Sequence, residues 1–376
     1  MSEKRILLAS LLKTVSDTRM YEKLGLSLLK LPGVSVHICG YKAPIPADAP
    51  ANISFYPIFN FTRLSLGRVQ AQVKYYRLLL ALKPAIVIIS THELLLATLL
   101  YKRRHSCQVL YDIQENYSLN LRAQHNYSWP VKHLLAGVVR TVEQLSASAV
   151  DHFLLAEKSY AEELPFIDQR YTLLENKYKP RAKAIPVHTP VSIPGEGPLR
   201  LLYSGTIAAE YGVFEAIDFA EQLHELHPDV YLTIIGYCAN KATWERIEQE
   251  TKGKEFIRVI GGSQLVPHQQ ILEQIRESHI GLLPYRPNES TLRCIPTKLY
   301  EYMAHGLPIL IQQNPLWHAI VERSGAGMSI DFSRVEAPSL IRLLYQQEFY
   351  TTGIPDTIYW KSEEEKLLRL MTQLEL

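Results

Sequence analysis

Short, unbroken apolar runs recur along the chain, and they restrict its fold more than any other feature. In the first half they are "RILLA", "VSVHIC", "AIVIIS", "QVLYD", "HFLLA" and "YTLLE". In the second they are "RLLYSG", "VYLTIIG", "FIRVIG", "HIGLLP", "PILIQ" and "GMSI". A strand with one wet face alternates apolar and polar residues, whereas a strand covered on both faces stays apolar throughout. These runs are too short to be helices, and longer helical stretches separate them. Six such units in each half predict an α/β chain of two doubly wound, Rossmann-like domains, each a parallel sheet covered by helices. Ligands of such sheets bind at the strand C-terminal ends, so two sheets facing one another predict a central cleft lined from both sides.

The chain has 376 residues, more than one ordinary core organises. Between the halves, "KPRAKAIPVHTPVSIPGEGP" carries five prolines from Pro180 to Pro198, the composition of a stiff, extended linker. The expected parts are an N-terminal domain over 1–180, a linker over 181–198, a second domain over 199–354 and a closing segment over 355–376. Within the last, "WKSEEEKLLRLMTQL" predicts an amphipathic helix starting near Ser362, with Glu364 and Glu365 in its first turn.

No apolar run approaches the roughly 20 residues that span a bilayer. The opening "MSEKRILLASLLKTVSD" has a basic pair before an apolar stretch but no small-x-small cleavage site, so it reads as a first buried strand. Cys39, Cys107, Cys238 and Cys294 lie far apart without metal-ligand spacing, which predicts free thiols and a cytoplasmic protein. Net charge is only +2, but residues 1–180 hold 22 Lys+Arg against 14 Asp+Glu, and residues 181–376 hold 18 against 24. The basic half points to an anionic substrate or membrane surface, with Arg63, Arg68, Lys74, Arg77 and the run "KRRH" from Lys102 as its contact residues. No basic–aromatic motif supports nucleic-acid binding.

One segment, "IPTKLYEYMAHGLP", has the punctuation of a short helix. Thr297 is the expected N-cap, Gly306 the C′ residue, and Pro308 prevents continuation. Glu301 lies one turn after Thr297 on the same face. Free N–H groups near Lys298 and Leu299 would take an anionic oxygen, and Glu301 would accept hydrogen bonds from a diol beside it.

In order along the chain, "LLYSGTIAAEYGVFEAI", "LTIIGY", "VIGG", "IGLLPY" and "PTKLYEYMAHGLPIL" resemble the donor domain of GT-B-fold glycosyltransferases. The likeness is greatest to the retaining family-four enzymes, also described as glycosyl transferases group 1. In the first half, "VSDTRMYEKLGLSLL" and "LYDIQENYS" fit the same pattern, and "YWKSEEEKLLRLM" resembles the family's helix that returns to the N-terminal domain. The resemblance implies retaining, metal-independent transfer of a sugar from a UDP- or GDP-sugar co-substrate, with no further cofactor. The acceptor would be a hydroxyl of a glycan, a lipid-linked saccharide or a small metabolite. The charge of the first half, not the resemblance, leaves open a peripheral place at the inner face of the membrane for a cytoplasmic protein.

On that pattern the donor-binding residues are Gly205, Thr206, Gly236, Gly262, Thr297, Lys298, Leu299 and Glu301. Arg293 and Lys298 flank the helix start and offer positive charge. Asp112 and Glu115 are candidate bases or polar contacts, and Asp17, Arg19 and Gln114 are candidate cleft or acceptor contacts. The chain departs from the family where Arg293 replaces the first of two glutamates eight residues apart. Thr206 and Tyr211 stand in the slots of two phosphate-side cations, and Gln114 lies where relatives often have histidine. Those departures keep a catalytically degraded nucleotide-sugar-binding subunit in view, and the shared two-domain architecture keeps a nucleotide-sugar epimerase as a second alternative.

Overall fold

The computed structural model describes residues 4–61, 65–123, 128–180, 187–288, 291–334 and 336–374. Two compact units emerge: Met1–Lys179 with Trp360–Leu376, and Pro180–Tyr359.

The first unit is built on β1 (Lys4–Thr14), β2 (Val34–Tyr41), β3 (Ile53–Phe59), β4 (Ile86–Ile89), β5 (Gln108–Ile113), β6 (His152–Leu155) and β7 (Tyr171–Leu173). They form one sheet in the order β3-β2-β1-β4-β5-β6-β7, parallel throughout. The winding reverses between β1 and β4. Six strands are expected from the apolar runs and seven are present, the extra one being β3, "ISFYPIF". It lies at the sheet edge, where one face stays half wet and Pro57 is tolerated because the outer side needs no donor. Its broken burial pattern hides it from a search for continuous runs.

The second unit contains β8 (Val191–Ser192), β9 (Leu199–Thr206), β10 (Val230–Tyr237), β11 (Ile257–Gly262), β12 (Ile280–Leu283), β13 (Ile309–Gln312), β14 (Gly327–Ile330) and β15 (Glu348–Phe349). Six of these make a second parallel sheet, β11-β10-β9-β12-β13-β14, whose winding reverses between β9 and β12. The segment expected only as linker also supplies β8, which pairs antiparallel with β15. Residues 181–186 of that stretch lie outside the described residues. Both sheets are thus doubly wound, as the unbroken apolar runs require.

The closing helix runs Lys361–Gln373, one residue earlier than expected, with Glu363 and Glu364 in its first turn. Ser362 does not cap it. The Ser362 hydroxyl bonds Glu363 instead, and the Trp360 N–H donates to the Tyr178 carbonyl at 2.7 Å. Trp360, Leu367, Leu370 and Met371 pack into the same core as Ile6, Leu8, Ile88 and Leu110 of the first sheet. All four cysteines are free thiols.

Candidate functional site

In the second unit the crevice between the C-terminal ends of β9 and β12 is the switch point, where doubly wound sheets bind ligands. The residues that converge there come from three segments. β9 ends in Ser204-Gly205-Thr206, and a single turn Ala209–Tyr211 follows it. β12 runs out into Pro284 and Tyr285. The third segment is the helix Thr297–Ala304.

That helix starts one residue earlier than a Thr297 cap would have it. Pro296 occupies the N-cap (φ −65°, ψ 134°), and no side chain caps the helix. Proline sets the entry dihedral but offers no side-chain acceptor. The Leu299 N–H reaches back to the Pro296 carbonyl at 2.9 Å, so it is not free. The N–H groups of Thr297 and Lys298 have no acceptor among the described residues. The entry loop is pinned from below: Asn314 Nδ2 donates to the Leu292 carbonyl at 2.9 Å, and Trp317 Nε1 to the Cys294 carbonyl at 2.7 Å. Leu299 itself is fully buried and contributes packing, not ligand contact.

Lys298 turns from this helix start toward the end of β9. Its Nζ lies 4.9 Å from the ring centre of Tyr203, 5.7 Å from Tyr285 and 5.9 Å from Tyr211. Such distances suit cation–π attraction. Gly205 makes room for the chain, since a Cβ there would lie 2.5 Å from Lys298 Cε, and its φ of +89° is one that side-chain-bearing residues rarely adopt. No hydrogen-bond acceptor or carboxylate partner meets the ammonium among the described residues. Burial pulls its pKa down to about 7, with the Glu301 charge opposing part of that shift.

Glu301, one turn on, is held by His268 across 2.6 Å between Nε2 and Oε1. Its other oxygen, Oε2, has no hydrogen-bond partner among the described residues. One carboxylate oxygen is therefore engaged and one available, where the sequence suggested both would be available. Thr206 is exposed at the end of β9, and Arg293 is exposed ahead of the helix. Gly236 and Gly262 serve the protein's own packing. A Cβ on Gly236 would meet the Gly205 carbonyl oxygen at 1.6 Å, and one on Gly262 the Trp244 ring at 2.2 Å.

The first-unit candidates resolve differently. Asp112 is fully buried and clamped by Arg19, with Nη2–Oδ1 2.6 Å and Nε–Oδ2 2.9 Å. Gln114 Nε2 adds a third donor at 2.8 Å, and Arg19 Nη1 also donates to the Leu174 carbonyl. Burial opposes the Arg19 charge, but Asp112 outweighs it and raises the guanidinium pKa. A carboxylate so enclosed cannot serve as a base or touch a ligand, so the expectation for Asp112 and Arg19 is corrected to a structural ion pair, which the half-buried Gln114 supports with one hydrogen bond. Asp17 caps the π-helical segment Thr18–Gly25 by accepting from the Arg19 and Met20 N–H groups, both at 3.0 Å. Glu115 is partly exposed beside Lys13 at 3.6 Å and Asn120 at 3.2 Å.

Tyr203, Tyr285, His268, Asn314 and Trp317 escape the sequence reading. Each meets its partner only through the fold: Glu301 and His268 are 33 residues apart, with no spacing signal between them.

A basic, uncapped helix start at the switch point of a doubly wound sheet is the anion-binding arrangement of nucleotide-binding α/β proteins. The family is more specific. Residues 189–346 match the model of the family described as glycosyl transferases group 1.

Solved structures agree on the GT-B fold. A sucrose-phosphate synthase from Thermosynechococcus elongatus matches with TM-score 0.73 and 13% identity, over 99% of each chain. A trehalose-6-phosphate synthase matches with TM-score 0.65 and 13% identity, over 98% of this chain and 99% of that one. A UDP-GlcNAc 2-epimerase from Neisseria meningitidis, solved with UDP-GlcNAc bound, matches with TM-score 0.57 and 11% identity, over 98% of this chain and 100% of that one. No curated protein sequence matches the chain.

Proposed function

We propose that this protein is a glycosyltransferase that takes a sugar from a nucleotide-diphosphate sugar and passes it to an acceptor hydroxyl. The observation that carries this reading is the Lys298 ammonium, held at the β9–β12 switch point with no acceptor of its own beside two free helix N–H groups. The fold class, the match of residues 189–346 to the group 1 model and a neighbour solved with UDP-GlcNAc support the same donor chemistry.

In this reading the diphosphate sits against the Thr297 and Lys298 N–H groups and the Lys298 ammonium. As the glycosidic bond breaks, negative charge grows on the diphosphate, and fixed donors that already point there lower the barrier. The free oxygen of Glu301 accepts a ribose hydroxyl, while His268 fixes the carboxylate's orientation. Transfer is retaining and needs no metal, with the leaving diphosphate taking the acceptor's proton, as the family resemblance implies. UDP and GDP are both candidate leaving groups. The acceptor is a glycan, lipid-linked or small-molecule hydroxyl.

Calorimetry with UDP and GDP tests the site. Glu301→Gln removes one charge-assisted hydrogen bond, worth about 1.5–3 kcal/mol, so affinity should fall roughly ten- to a hundredfold. Lys298→Met keeps the stem, removes the ammonium, and should lower turnover more than ground-state binding. Unchanged nucleotide affinity in both variants would sink the assignment. Product analysis then separates the chemistries: free nucleotide with a heavier acceptor means transfer, an epimerised sugar nucleotide means epimerase, and binding without either means a silent subunit.

A further inference from the structure

Three helices of the first unit lie side by side: Gly67–Leu82, Leu95–Lys102 and Trp129–Ala147. Each buries an inner face, for example Ala71, Tyr75 and Leu79 on the first and Ala136, Val139 and Ala147 on the third. Their outer faces should then be polar, as on an ordinary surface helix. They are not. Leu66 is 83% exposed, Leu145 78%, Trp129 71%, Leu134 68%, Val69 65% and Leu96 64%. More than half of the large apolar side chains exposed among the described residues lie on these three helices and their caps.

The charge on this face is one-sided. Neither Gly67–Leu82 nor Leu95–Lys102 contains an acidic residue, and the single acid of Trp129–Ala147, Glu143, is buried. Lys74, Arg77 and Arg103 are exposed and form no ion pair among the described residues. A second copy of the same face would bring like charges together, which disfavours self-association. An extended apolar surface rimmed by unneutralised cations matches the headgroup region of an anionic bilayer, where the apolar side chains enter the interface and the cations meet lipid phosphates. Among the described residues no helix is long and apolar enough to cross a membrane.

We propose that the outer face of these three helices docks the protein on anionic lipid, with Trp129, Leu134 and Leu145 in the interface and Lys74, Arg77 and Arg103 on lipid phosphates. The inference goes beyond the donor reading and does not depend on it, since every residue involved belongs to the first unit.

Cosedimentation of the full chain with phosphatidylcholine vesicles, with and without phosphatidylglycerol, tests it. The parent should bind the phosphatidylglycerol vesicles preferentially, and Trp129 emission should shift to the blue on binding. Each cation near an anionic surface contributes about fivefold, so Lys74→Ser with Arg77→Ser should weaken binding by roughly 25-fold. Leu134→Ser with Leu145→Ser should remove the binding that survives high salt. Leu265→Ser, an exposed apolar residue of the second unit, should change nothing. All these side chains are exposed, so unchanged thermal melts would confirm intact variants. Failure of the parent to sediment with either vesicle overturns the proposal. So does equal loss in the Leu265→Ser control, or a dimer in sedimentation velocity that Leu134→Ser with Leu145→Ser dissociates.

Discussion

A lysine among three tyrosines is a poor bargain for a folded chain that binds nothing. Burial holds the Lys298 pKa near 7, whereas an unfolded lysine titrates near 10.4. Between those values the unfolded chain binds a proton that the folded chain does not, so stability rises as pH goes from about 7 to about 10. Lys298→Met should therefore raise the melting temperature at pH 7, by the equivalent of about 1–2 kcal/mol given the residue's partial exposure, and the gain should shrink toward pH 10. Differential scanning calorimetry across that range checks it, and a gain independent of pH would contradict it.

Nucleotide binding should run the other way. A diphosphate favours the charged lysine, so binding takes up a proton, and affinity for UDP or GDP should fall as pH rises above about 7, by up to about tenfold per unit. Calorimetry in buffers of different ionisation enthalpy would register the proton. A flat profile in the parent, or the same slope in Lys298→Met, would assign the titration elsewhere. At this scale the motif made Lys298 and Glu301 legible, because both sit in one punctuated segment. The tyrosine cage and His268 were not legible, because contacts between distant segments leave no spacing. Asp112 misled for the same reason: its partner Arg19 is 93 residues away.

At the scale of elements, the strands were readable wherever both faces are covered and unreadable at an edge, as β3 shows. The helix Thr297–Ala304 was readable at its end and misread at its start. Its C-terminus closes with the Gly306 N–H on the Met303 carbonyl and the Leu307 N–H on the Tyr302 carbonyl, both 3.0 Å. That is a Schellman motif, with Gly306 at φ +64°. At the other end Pro296 leaves the first donors uncapped, so the element is fastened firmly at one end and open to a ligand at the other. Gly306→Ala must place a Cβ at positive φ and 2.3 Å from Val187, so a loss of at least about 1 kcal/mol is expected. Urea unfolding would measure it. Nucleotide affinity should fall less than stability does, since the helix start is anchored separately by Asn314 and Trp317. An affinity loss larger than that of Glu301→Gln would mean that the C-terminal closure positions the ligand.

Across the whole molecule, the chain leaves the first unit at Lys179 and re-enters it at Trp360. The re-entry is built into the buried ion pair that displaced Asp112 from the chemistry. Trp360 is buried, its Nε1 donates to Ser27 Oγ at 3.0 Å, and the Arg19 guanidinium lies 6.0 Å from its ring centre. Two carboxylates complete the attachment. Glu363, fully buried, receives Lys177 at 2.6 Å and Lys366 at 2.8 Å, and Glu364 receives Ser27 at 2.7 Å and Lys30 at 2.5 Å. A sequence reading finds the amphipathic helix but not these partners, since Glu364 and Ser27 are 337 residues apart.

Burial alone would raise the pKa of Glu363, yet the two lysines outweigh it and hold the carboxyl below its usual range. Its stabilisation is thus present above the unfolded value of about 4.3 and is lost as pH falls through the folded value. Glu363→Gln should destabilise the protein at neutral pH and flatten that acid-side decline. Trp360→Ala should cost about 3–5 kcal/mol at any pH, because it empties a packed site. Hydrogen exchange would place both effects: amides of β1, β4 and β5 should lose protection in each variant. If Trp360→Ala leaves those strands as protected as in the parent, the returning helix lies against the first unit without supporting its core.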